Sequence, residues 1–199
     1  MHQSKIDKLI YVFSKLPGIG GRSAKRIVLH LIKHKDHLML PLSDALLDTA
    51  NAIEICKICG NLDEVETCKI CTNKSRNQST ICIVETVADL WALEKINVYQ
   101  GLYHILGGTL SAYHERTPSE VNIDRLVERI DKSNIEEVII ATNATLDGQT
   151  TAFYITERLR PYSHVRVSRL ASGIPIGGEL DYLDEGTITA AFNLRQKFN

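Results

Sequence analysis

The chain of 199 residues has no apolar run approaching the roughly 20 residues that a membrane-spanning helix requires. That lack argues against a membrane-spanning helix within these residues. Its first residues, MHQSKIDKLIYVF, have neither the apolar centre nor the small-residue cleavage site of a secretory signal, so the expectation is a cytoplasmic protein. No G-x-x-x-x-G-K-[ST] occurs, which argues against a P-loop ATPase. Long repeats and low-complexity linkers are also missing, so the parts are expected to pack closely. Cysteine is scarce, at five residues. In a reducing compartment disulfides rarely persist, and metal binding becomes the favoured use of clustered cysteines.

What is present is ordinary in amount and uneven in placement. Hydrophobic residues make up 44% of the chain, enough for one ordinary domain, or two small ones with a staple. The formal charge of −1 conceals a split. Residues 1–37 hold eight Lys/Arg against two Asp, a formal +6, which leaves −7 for the remainder. A basic end on an acidic body suits a polyanion at one end and a basic protein at the other, unless surface charge simply fell unevenly.

Hydrophobic spacing places helices over KIDKLIYVFS (5–14), RSAKRIVLHLIKH (22–34) and PLSDALLDTANAIEI (41–55), with LPGIGG breaking the pattern between the first two. From Ser79 the grammar changes. STICIVE, LYHILGG, EVIIAT and HVRVSRL read as strands, alternating with helices over TVADLWALEKI, VNIDRLVERIDK and QTTAFYITERLR. That alternation predicts an α/β domain with a mostly parallel sheet flanked by helices. The tail carries glycine-rich turns and a last short helix. Its GIPIGGELDYLD loosely resembles a Walker B segment, although turn-forming glycines explain it as well.

LPGIG between two helices points to anion binding. Gly18 and Gly20 are expected to permit special backbone angles and to let N–H groups approach a ligand. Those groups open the second helix, where the partial positive charge favours an anion. Arg22 and Arg26 lie four apart on that helix and can face one phosphate track, with Lys25 beside them. The segment resembles the helix-hairpin-helix motif of DNA-binding proteins. Phosphate gripping carries no base information, so binding should be insensitive to sequence. A plain packing turn is the bland alternative.

CKICGNLDEVETCKIC is C-x2-C-x8-C-x2-C, formed by Cys56, Cys59, Cys68 and Cys71. Two paired turns supply the four thiolates of a tetrahedral zinc site with no open position, hence a structural ion, one per chain. Redox pairs or an iron–sulfur cluster are the alternatives. Lys57 and Lys69 can offset the tetrathiolate charge. Cys82, between Ile81 and Ile83, reads as a buried small hydrophobe.

Strand ICIVE ends at Glu85, with Asp89 one turn beyond. If this strand and EVIIAT are parallel, Glu85 and the loop ATNATLDGQT (141–150) open at one edge, with the next helix following the glycine. This resembles the Toprim domain of topoisomerases, primases and some nucleases, whose enzymatic members hold magnesium with a glutamate and a D-x-D-x-E-G cluster. Here the cluster is N-A-T-L-D-G: Asn143 and Thr145 replace two aspartates, and only Asp147 keeps an acid. Neutral oxygens hold Mg²⁺ weakly, and two-metal phosphoryl chemistry needs several carboxylates. Glu85, Asp89 and Asp147 are therefore read as a surface for a basic protein partner, or as solvated loop acids. An active Mg-dependent Toprim nuclease or primase is the competing reading, and a zinc-stapled module binding only protein a third.

Taken in order, LPGIGGRSAKRI, the four-cysteine knuckle, ICIVE, YHILGG, ATNATLDGQTTAFYI and RLASGIPIGGELDYLDE resemble the RecR family of bacterial recombination mediators over nearly the whole chain. One departure is SAYHERTP, where the family usually carries a proline-and-glycine turn. The resemblance implies a helix-hairpin-helix domain (1–55), a zinc finger (56–71), a Toprim domain (79–174) and a C-terminal region (175–199). It implies a non-enzymatic role in recombinational DNA repair, acting with RecO and RecF to help RecA displace single-strand binding protein at gaps. It also implies a ring-like homotetramer able to encircle single- or double-stranded DNA. By position, Gly18, Gly20, Arg22, Lys25 and Arg26 become DNA contacts, and Glu85, Asp89 and Asp147 partner contacts.

Overall fold

A computed structural model of the chain describes residues 4–111 and 117–195. Most of the SAYHERTP departure, residues 112–116, lies outside the described residues. Two compact units result, one ending at Ile53 and one beginning at Glu54.

The first unit is helical: α1 (Lys5–Phe13), α2 (Gly21–Lys33), a π-helical turn (Lys35–Met39) and α3 (Leu40–Ala52). Ser4 caps α1, its Oγ accepting from the Asp7 N–H at 3.1 Å. Ala24, Val28 and Leu31 are the buried residues of α2, a spacing that keeps one stripe inward. Nothing in the hydrophobic spacing signals the π-helical turn. α3 also stops short of the expected residue 55. Ile53 is extended (φ −82°, ψ 126°), and Glu54 and Ile55 pair with Asp63 and Leu62. Cross-strand pairing there overrides helical propensity.

The second unit begins with the hairpin β1 (Glu54–Ile55) and β2 (Leu62–Asp63), followed by α4 (Lys69–Thr72). Then come β3 (Thr80–Val84), α5 (Val87–Ile96), β4 (Leu102–Ile105), α6 (Ile123–Lys132), β5 (Glu137–Ile140), α7 (Leu146–Leu159) and β6 (Arg166–Arg169). A 3₁₀ turn (Leu180–Tyr182) and α8 (Glu185–Asn193) close the described chain. The Walker B-like segment forms turns rather than a strand: Gly177 has φ +82°, and the Gly178 N–H donates to the Pro175 carbonyl at 2.9 Å.

The four-stranded sheet has the order β4-β3-β5-β6, parallel throughout. Every residue of β3 is buried, as expected of a central strand covered on both faces. Alternation divides its side chains. Ile81 and Ile83 join the cluster with Leu126 and Ile130 of α6 and Ile155 and Leu159 of α7. Cys82 and Val84 join Leu90 of α5 on the other face. Each fully buried Ile or Leu contributes about 1.5–3 kcal/mol. Cys82 is a buried hydrophobe, its thiol pushed up to about 12 by burial.

Connectivity decides where a site can form. From β3 the chain steps through α5 to the edge strand β4, then crosses through α6 to β5 on the opposite side. The winding therefore reverses between β3 and β5. In such sheets the crevice outside the carboxyl ends of those two strands is the binding position.

Candidate nucleic-acid hairpin, zinc knuckle and acidic sheet edge

At the hairpin only one of the two glycines carries the special conformation. Gly18 has φ +75°, a value side chains avoid. Gly20 is extended (φ −81°, ψ 167°), which any residue can adopt, so that part of the expectation is corrected. Its value lies in what it omits. As N-cap of α2 it offers no side-chain oxygen to the first-turn N–H groups, and a Cβ there would meet nothing within 4 Å. The start of α2 is thus open to an anion. Arg22, Lys25 and Arg26 are all exposed, and none takes part in an ion pair among the described residues.

In the knuckle, the ligand atoms of Cys56, Cys59, Cys68 and Cys71 lie within 4.8 Å of one another, three of the residues buried. The Cys56–Cys71 and Cys59–Cys68 sulfurs are 4.0 and 3.5 Å apart. A tetrahedral ion with Zn–S bonds of about 2.3 Å needs sulfurs about 3.8 Å apart, so the donor set fits zinc. The Cys68 N–H also donates to Cys56 Sγ at 3.3 Å, an arrangement that favours the thiolate. Without a cation the thiols must share protons. Hydrogen bonds from Cys59 and Cys71 draw the Cys68 thiol strongly down. Hydrogen bonding with Cys59 and Cys68 drives Cys71 strongly up. A divalent ion resolves that conflict by ionising all four. The site is a four-cysteine zinc finger holding one structural Zn²⁺. Lys57 pairs with Glu66, so its charge is not wholly free to offset the ion.

The knuckle is docked on the sheet. The Ile105 N–H points away from β3 and donates to the Cys59 carbonyl at 2.8 Å, covering the free side of β4. Arg76 ties the following segment to α5. Its guanidinium forms a two-bond fork with Glu94 at 2.9 and 2.7 Å, and its Nε donates to the Gly101 carbonyl.

β3 and β5 are parallel, so Glu85 and the 143–148 segment do meet. They meet in a closed arrangement. Glu85 is buried, its Oε1 accepting from the Asn143 backbone N–H and its Oε2 from the Asn143 side-chain amide, both at 2.7 Å. Asn143 therefore occupies the carboxylate face where a cation would sit. Thr145 is the N-cap of α7, its Oγ1 accepting from the Gly148 N–H at 3.1 Å. α7 begins at Leu146, three residues earlier than expected, so Asp147 and Gly148 lie in its first turn rather than in the loop. Gly148 is required by proximity. A Cβ there would fall 2.2 Å from the Asn143 carbonyl oxygen and 2.8 Å from Glu85 Oε1.

Asp89 Oδ2 accepts from the Thr86 N–H and hydroxyl at 2.8 and 2.7 Å, a capping box for α5. Both Asp89 and Asp147 are half-buried. Among the described residues, Glu85, Asp89 and Asp147 do not converge as a cluster able to hold an ion. The capping box was legible in T-V-A-D, but the Asn143 lock was not, because it joins residues 58 apart.

A helical hairpin with an uncapped second helix, a four-thiol knuckle and a parallel sheet with its metal edge closed define a class: a zinc-stapled Toprim scaffold. Comparison with known proteins agrees in each part. Family models match residues 6–50 (RecR, helix-hairpin-helix), 55–73 (the RecR four-cysteine zinc finger domain), 79–171 (Toprim domain) and 173–196 (RecR, C-terminal). A protein of Rickettsia bellii named Recombination protein RecR is 55% identical over 197 residues, 99% of this chain and 98% of its own. Its namesake in Rickettsia felis is 54% identical with the same coverage, and that of Rickettsia canadensis 55% identical over 193 residues, 97% of this chain and 96% of its own. The chain belongs to the RecR family.

Proposed function

We propose that the chain is a non-enzymatic, cytoplasmic DNA-binding mediator of recombinational repair. In this reading the hairpin grips the phosphate backbone of single- or double-stranded DNA through the Gly18–Gly20 turn, Arg22, Lys25 and Arg26. The acidic sheet edge receives RecO, with RecF as a further partner, and a ring-like tetramer on DNA helps RecA load at gaps. Asp89 and Asp147 present the partner-facing charge. Glu85, buried and with its oxygens engaged by Asn143, supports the edge by holding the 143–148 segment.

The observation carrying the non-enzymatic part is that engagement. Replacing a metal-binding aspartate by an asparagine does more than remove a ligand here. It supplies a side-chain amide N–H that donates to Glu85 Oε2 beside the backbone N–H already donating to Oε1, so each carboxylate oxygen is engaged where an aspartate would have repelled it. Two-metal phosphoryl transfer needs open carboxylates at that position.

The test pairs two measurements on pure protein. In DNA titrations at several salt concentrations, Arg22→Ala with Arg26→Ala should weaken binding and lower the salt slope by about two, near 0.9 per lost phosphate contact. An unchanged slope removes the hairpin role. Prolonged incubation with plasmid and primer substrates in Mg²⁺ or Mn²⁺ should give no turnover. Scission or synthesis abolished by Glu85→Ala would establish the enzyme instead.

A further inference from the structure

A basic cleft of about 640 Å³ lies at the amino-terminal edge of the sheet, away from the acidic edge. One wall is the zinc knuckle and the other is α6, with the residues preceding β3 and β5 at its base. Four cationic side chains line it, Lys57, Arg125, Arg129 and Lys132, against one carboxylate, Glu128. The two lysines are paired, Lys57 with Glu66 and Lys132 with Glu128, through exposed contacts that water and salt weaken.

The arginines differ. Neither takes part in an ion pair among the described residues. Arg125 Nη2 donates to the Lys57 carbonyl, in the loop between two zinc ligands. Arg129 Nη1 donates to the Tyr103 carbonyl at 2.6 Å, on the free side of β4. Each guanidinium is anchored by one donor on a neutral oxygen. Each keeps its full charge and its other N–H groups for an incoming anion. Little side-chain entropy remains to be lost on binding.

We infer that this cleft is a second phosphodiester-binding site, in addition to the hairpin. Arg125, Arg129 and Lys132 span about 10 Å of helix axis at 1.5 Å per residue. Each strand of a DNA duplex carries about three phosphates over that length of duplex axis. An extended acidic peptide, with like-facing side chains about 7 Å apart, presents fewer charges there. Among the described residues no aromatic side chain lines the cleft, so base stacking contributes nothing, and duplex should bind at least as well as single strand. Binding should be independent of sequence. The inference rests on the reading of the chain as a DNA-binding protein and extends the contact surface to the Toprim unit.

The experiment is fluorescence anisotropy of full-length, zinc-loaded protein with labelled duplex and single-stranded oligonucleotides across a salt series. Arg125→Gln with Arg129→Gln should weaken duplex binding about tenfold at low salt and reduce the salt slope by about two. Zinc content and far-ultraviolet circular dichroism should stay as in the parent. Lys132→Gln, at an exposed side chain, should reduce the slope by about one and serves if the arginine pair perturbs folding. The same losses should appear on the Arg22→Ala, Arg26→Ala background. If the hairpin variant loses binding while the cleft variants keep the parent slope, the cleft proposal falls and the DNA-binding reading stands. If the parent protein binds no DNA at low salt, both fall. If the cleft variants keep DNA but lose binding to a labelled polyglutamate peptide, the ligand is an acidic protein and the nucleic-acid assignment is overturned.

Discussion

His104 shows how one side chain records its surroundings. It lies on β4, fully buried, with Nε2 2.9 Å from the Asn122 carbonyl. Its Nδ1 is buried without a partner among the described residues. The carbonyl must accept, so Nε2 carries the proton and Nδ1 is bare. Burial lowers its pKa from 6.5 to about 4, and the charges of Arg129 and Arg125 add to that direction. The folded protein thus resists protonation that the unfolded chain accepts. Stability from this group is intact above about pH 6.5. It falls as pH drops towards 4, by up to about 3 kcal/mol at 1.36 kcal/mol per unit. Urea unfolding of wild type and His104→Leu at pH 7, 6, 5 and 4 should show a gap between the two that shifts in favour of the variant at low pH. A constant gap would mean that His104 titrates normally.

Among the elements, the knuckle has a job beyond its own folding. It caps β4, whose outward N–H groups and carbonyls would otherwise be an open sheet edge. The Cys59 carbonyl and the Arg129 guanidinium occupy Ile105 and Tyr103 in turn. Removing zinc with a chelator, or substituting Cys68→Ser, should release this cap before the sheet itself unfolds. Hydrogen exchange should then rise first at Ile105, with strand-edge association following at higher protein concentration. Equal protection at Ile105 with and without zinc would show that the edge does not depend on the ion. The four cysteines were legible because their spacing is local. The clamp on β4 was not, because Cys59 and Ile105 meet only after the sheet has formed.

Considered whole, the molecule leaves large apolar side chains uncovered on both units. Leu46 and Leu47 on α3 are 61% and 60% exposed, and Tyr182 and Phe192 in the C-terminal region are 85% and 67% exposed. Exposed apolar side chains mark association surfaces where they lie together, as the adjacent Leu46 and Leu47 do in sequence. They fit the proposed tetramer, whose solution mass should be near four times 22.3 kDa. Leu46→Glu with Leu47→Glu should lower that mass, as read by light scattering. A parent protein that runs as a monomer at micromolar concentration would contradict the ring.

Local chemistry alone established several features. The hairpin, the zinc ligands and the alternation of strands and helices all read directly from neighbouring residues, while the neutral residues at 143 and 145 gained meaning only from the Toprim resemblance. Each of the former depends on spacing along the chain, and helical and pleated periods are written in that spacing. Tertiary structure alone decided the rest. It turned Asn143 from a missing ligand into an occupant of Glu85, moved Asp147 into a helix, and gathered Lys57, Arg125 and Arg129 around one cleft. Those outcomes depend on distances between residues far apart in sequence, and only the crossover from β4 through α6 to β5 brings them within reach.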